Sequence, residues 1–136
     1  MSNWTHVAGV VRIDDLRFDD ETPDFDEMFG KELSYDSGDY DDYDKHPEQY
    51  MPCGSEGTLE KSVWINPKTN CLAAYTISIF GDFRDHDDTH SIVKWFSDKL
   101  NEISEDYIIR QATITVENEW CGTESWTFEY PKEEDR

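Results

Sequence analysis

Two stretches of the chain set side chains where they could do chemistry. The first is Asp82-Phe83-Arg84-Asp85-His86-Asp87-Asp88-Thr89-His90. His86 and His90 stand four apart, and two imidazoles at that spacing on a helix can ligate zinc, with Asp85 as a third donor. The run also lies where a helix should begin, and carboxylates there are explained by capping and by the positive helix N-terminus. A zinc-protease HExxH pattern would need Glu at position 87, which is Asp.

The second stretch is the aspartate cluster 36–44, which invites a calcium reading. An EF-hand loop wants Asp at positions 1, 3 and 5, Gly at 6 and Glu at 12. Starting from Asp39 places Tyr43 at 5, Asp44 at 6 and Tyr50 at 12; starting from Asp36 places Gly38 at 3. Neither frame makes a dedicated calcium loop.

Nucleophilic and phosphate chemistry fare no better. Cys53 follows His46 by seven residues, but a reactive thiolate needs an electropositive setting and this segment has the opposite field. Gly54-Ser55-Glu56-Gly57 is too short to cradle a phosphate, which Glu56 would repel. Carboxylates are so abundant that any two could be matched to an acid–base pair, so the match carries no information. No catalytic or cofactor motif is found, and the chain reads as a non-enzyme.

What must hold these residues is a chain of 136 residues with 32 Asp plus Glu, 12 Lys plus Arg and a net charge of −20. That length suits one domain with an adequate core. The charge excludes an electrostatic grip on nucleic-acid phosphates and on anionic membranes, and favours basic partners or metal ions. Nineteen aromatics separate the chain from disordered acidic tails. The acidity is also local: residues 14–48 carry 15 acidic and 3 basic side chains, a net of −12.

The N-terminus shows no signal peptide and no stretch reaches the ~20 apolar residues of a membrane helix. Cys53, Cys71 and Cys121 are an odd set without a CxxC pair. They argue for reduced thiols, a cytoplasmic location, and neither a disulfide framework nor structural zinc.

Periodicity supplies the elements. Residues 4–13 predict a first strand, with Gly9 at a bulge or a close approach. Thr22 and Pro23 open a short helix with Phe25, Met28, Phe29 and Leu33 on one face. Residues 34–57, with Tyr35, Tyr40, Tyr43 and Tyr50, show no period and predict a long acidic, tyrosine-rich loop. Thr58–Ile65 and Leu72–Phe83 form the clearest hairpin, around a turn at 66–70. Asp87 or Asp88 caps the main helix, whose stripe is Ile92, Trp95, Phe96, Leu100 and Ile103. Strands follow at 108–118 and around Trp126, Phe128 and Tyr130, before a frayed tail at 131–136. The expected fold is α+β: one domain of two layers, an antiparallel or mixed sheet of about five strands with one main and one short helix. The order strand-helix-strand-strand-helix-strand is ferredoxin-like, with one extra edge strand.

Because no catalytic motif competes, the acidic segment is the leading candidate. Asp36, Asp39, Asp41, Asp42 and Asp44, with Tyr40 and Tyr43, form the expected partner-binding surface. Carboxylates can take the charge-assisted hydrogen bonds that a basic cleft offers to phosphates, and the tyrosines supply buried anchors. In size, charge and the run DSGDYDDYDKHPE, the chain resembles small bacteriophage counter-defence proteins. These include DNA mimics that block restriction enzymes and anti-CRISPR proteins that occupy the nucleic-acid site of a Cas nuclease. The resemblance implies a stoichiometric inhibitor of a basic, nucleic-acid-binding protein. The competing expectation is a cation- or small-ligand-binding domain using His86 and His90 or the 36–44 cluster.

Overall fold

The computed structural model describes residues 3–15, 22–33, 40–66, 73–86 and 88–129. Five strands, β1 (Trp4–Asp15), β2 (Glu60–Ile65), β3 (Ala73–Arg84), β4 (Ile108–Asn118) and β5 (Gly122–Thr127), form one sheet in the order β2-β3-β1-β4-β5. Every neighbouring pair is antiparallel. Since β3 lies antiparallel between β1 and β2, those two run parallel and make a split βαβ unit. The first four strands thus stand in ferredoxin-like order, and a tight hairpin adds β5. The sheet is α+β in class, as the alternation predicts.

Side chains alternate across the sheet. Val7, Val11 and Ile13 of β1, Tyr75, Ile77, Ile79 and Phe83 of β3, and Ile109, Ala112, Ile114 and Val116 of β4 are all buried on one face. The main helix α3 (Thr89–Ile103) covers that face with Ile92, Val93, Phe96, Leu100 and Ile103. Trp95, expected within the buried stripe, is only partly buried, and Val93 takes the inner place. Asp88 caps α3: its Oδ1 accepts from the Ser91 amide at 3.0 Å.

Local chemistry moves some boundaries. The short helix α1 spans Phe25–Phe29, and its cap is Asp24, not Thr22; the carboxylate accepts from the amides of Asp26 and Glu27. A charged acceptor suits the positive helix end better than a hydroxyl. Gly9 marks a close approach, since a Cβ there would lie 3.1 Å from the Thr113 carbonyl oxygen. The register shift of β1 falls instead between Arg12 and Ile13.

The acidic segment is not a loop throughout. Tyr40–Lys45 forms a helix, α2, and Pro47–Gln49 a 3₁₀ turn. A six-residue helix is marginal alone; packing against the body maintains it. Residues 52–58 then fold onto the end of β3, where Arg84 donates its amide to the Glu56 carbonyl at 2.9 Å. Gly57, at φ 85°, lies so close that a Cβ would stand 1.9 Å from the Asp82 carbonyl oxygen. The side chain of Glu32 blocks the outer edge of β2 by accepting from the Lys61 amide at 2.8 Å.

Among the described residues no helix is long and apolar enough to cross a membrane. Cys53 and Cys121 are free thiols. Asp36, Asp39, Cys71, the turn at 67–70, Tyr130 and the tail at 131–136 lie outside the described residues.

Candidate functional site

The candidate surface is built on Tyr50. Its backbone pairs with Lys31 next to α1, and its side chain is 7% exposed. From that fixed position the phenol donates to Asp42 Oδ2 at 2.6 Å. Its ring meets Tyr43 edge-on, with centroids 5.6 Å apart, a favoured aromatic geometry. The Lys31 ammonium lies 5.7 Å from the same ring. One tyrosine therefore holds two successive residues of α2.

The consequence is a short helix with a defined inner and outer side. Tyr43 turns inward, while Asp41, Asp42 and Asp44 are exposed. Asp41 and Asp42 occupy the first turn and Lys45 the last, matching the helix dipole. The bond from Tyr50 holds the Asp42 carboxyl below the ordinary range, with Lys31, His46 and Lys45 adding smaller attractions. Hydrogen bonding with Cys53, burial and the nearby Asp44 push Tyr43 up to about 12, so its phenol stays neutral. A groove of about 400 Å³ separates this unit from α3, lined by Tyr43, Pro47, Tyr50, Trp95 and Lys99 among others.

Of the seven residues expected to form the surface, Asp41, Asp42, Tyr43 and Asp44 are brought together on α2, which Tyr40 opens. Asp36 and Asp39 lie outside the described residues. The arrangement can accept charge-assisted hydrogen bonds from Lys or Arg beside an aromatic groove.

The two histidines of the rival site have separate partners. His86 precedes α3 and packs against the Phe83 ring at 5.8 Å, whereas His90 lies on the helix and meets Glu124 at 3.2 Å. They share no helical face. Asp85 accepts from the Ser55 hydroxyl at 2.7 Å. Among the described residues no group of three or more His, Cys, Asp or Glu is placed to hold a metal ion. Cys53 meets Tyr43 rather than His46, and His46 lies 3.6 Å from Glu48.

One polar cluster has no counterpart in the sequence reading. On β1, His6 directs Nδ1 to Asp82 at 2.6 Å and Nε2 to Glu119 at 3.2 Å. Both carboxylates draw the imidazole up from its ordinary value, against a smaller effect of burial. Partners 76 and 113 residues away leave no local pattern to find. Nearby, buried Asn118 donates to the Thr5 hydroxyl at 2.9 Å, and its carbonyl receives the amides of Trp120 and Cys121. The Thr5 hydroxyl in turn donates to the His86 carbonyl.

No protein-family model, no curated protein and no solved structure matches this chain.

Proposed function

We propose that this protein is an acidic interaction module that occupies the basic, nucleic-acid-binding surface of a partner protein and inhibits it stoichiometrically. The observation that carries this reading is the attachment of α2 to Tyr50. A solvated acidic run would leave its carboxylates unordered, whereas here Asp41, Asp42 and Asp44 ride on a helix pinned by a hydrogen bond and a ring contact. Preorganised carboxylates lose less freedom on binding. They match the Lys and Arg that a nucleic-acid cleft presents to phosphates, and the net charge of −20 accelerates encounter with such a cleft. The resemblance to DNA mimics and anti-CRISPR inhibitors accords with this reading, as does the reading of the chain as a cytoplasmic non-enzyme.

The test is capture from host lysate at low and high salt, with the native chain and with Asp41, Asp42 and Asp44 changed to Asn. A basic nucleic-acid-binding protein should be retained at low salt by the native chain and lost with the variant. Nucleic acid should then compete with the module for that protein. Equal capture by the two chains sinks the acidic helix as the site, and a stable ternary complex with nucleic acid sinks the mimicry.

A further inference from the structure

We propose that the sheet face turned away from α3 is a dimerisation surface, on which a second copy of the chain packs with its strands running oppositely. Among the described residues, helices cover only the inner face. The outer one carries two exposed aromatic side chains, Trp64 and Phe80, 53% and 41% exposed.

The outer face is charged only at its margins. Across the five strands its two central rungs, Glu60–Phe80–Ala8–Thr115–Ser125 and Ser62–Ser78–Val10–Thr113–Thr127, hold one ionisable group, Glu60. One end is acidic, with Asp82 and Glu117 flanking His6 and Glu119 behind it. The other holds Arg12, with Arg110 bonded to Asp14 at 2.6 Å. Glu60 lies at the β2 margin, and Arg84 pairs with Glu56 at 3.0 Å. The face is therefore polarised along its strands.

A two-fold axis lying in the face, across the strands, reverses that polarity between copies. Each strand then crosses its own counterpart, and Arg12 comes over the second copy's His6 rung, between Asp82 and Glu117. The same operation carries Trp64, at the Arg12 end of β2, to the opposite end of the second copy's β2. A hollow of about 440 Å³ lies there, lined by Gly57, Thr58, Glu60, Phe80 and Asp82 among others. Charge complementarity and a knob facing a hollow thus follow from one axis, as an isologous contact requires. Five strands about 4.8 Å apart and seven residues of about 3.3 Å each give a patch of roughly 550 Å² in projection. Allowing for surface relief, that approaches the ~800 Å² per partner of a standard interface. The acidic helix α2 lies across a groove from α3, in the layer remote from this contact.

Sedimentation equilibrium of the full chain from about 1 to about 500 μM, at ~0.15 M salt to screen the mutual repulsion of two −20 chains, reads the association directly. A monomer–dimer equilibrium is expected, weakened at least about tenfold by Phe80→Arg. Thr115→Arg repeats that test at a second exposed position, and circular dichroism confirms the fold of each. Arg12→Glu and Glu117→Arg should each weaken the dimer, and the two together should restore it. A monomer throughout, a dimer indifferent to both arginine variants, or a double variant that is not restored would each overturn the proposal. Dimerisation lost on Ser125→Pro but kept with Phe80→Arg would assign the contact to the β5 edge, and would overturn it too.

Discussion

Tyr50 and Asp42 are bound through a single 2.6 Å hydrogen bond between a buried phenol and an exposed carboxylate. That bond joins the acidic helix to the body of the protein. Tyr50→Phe keeps the ring that meets Tyr43 and removes only the donor. The expected result is local: the His46 amide, which donates to the Asp42 carbonyl at 2.8 Å, exchanges with solvent several-fold faster. Amides in β1 and β3 should stay protected. Amide exchange read by NMR checks both halves, and unchanged exchange at His46 would show that the bond does not hold the helix.

His6 should make stability depend on pH. Its folded pKa lies above its ordinary 6.5 because both ring nitrogens face carboxylates. The charged form is favoured in the folded chain, so the contribution is fully present below the unfolded value and disappears as pH rises through the folded one. His6→Gln should therefore lower Tm more at pH 5.5 than at pH 8.5, by a modest amount because the site is half exposed. An equal loss at both values would contradict the pairing of His6 with Asp82 and Glu119.

The cap of α3 rests on one carboxylate. Asp88→Ala removes the acceptor of the Ser91 amide and should cost about 1 kcal/mol, while Asp88→Asn should recover most of that. Urea denaturation of the three chains gives the comparison.

Phe96 is fully buried and meets Trp126 edge-on at 5.8 Å, joining α3 to the short edge strand β5. Phe96→Ala should cost about 3–5 kcal/mol through lost burial and the cavity left behind. The indole N–H signal of Trp126, one of five tryptophans, should shift in the NMR spectrum under native conditions. A cost below about 1 kcal/mol would mean that the helix does not hold this edge.

Regular spacing made most of the frame readable. The hairpin of β2 and β3 and the stripe of α3 follow periods of 2 and 3.6, because each presents one face to a common core. The same reasoning missed α2: Tyr40 to Lys45 hold two tyrosines among four charged residues, too short a run for an apolar stripe, and the helix depends on Tyr50 outside it. Asp24 supplanted Thr22 as a cap because a carboxylate was within reach of two free amides. The cluster around His6 joins β1, β3 and the end of β4, so only the sheet order brings it together. Of the candidate surface, the residue types were legible, but the anchor that orients them was not.

The place of β1 in the sheet has a mechanical consequence. The strand is twelve residues long and hydrogen-bonded on both sides, so an unfolding machine that pulls along it from the N-terminal side must shear two ladders together. The last strand, β5, has six residues and one neighbour within the sheet, and can be peeled away a bond at a time. Resistance to a processive protease should thus be directional: a degradation tag at the C-terminal end should shorten the lifetime of the folded chain more than the same tag at the N-terminal end.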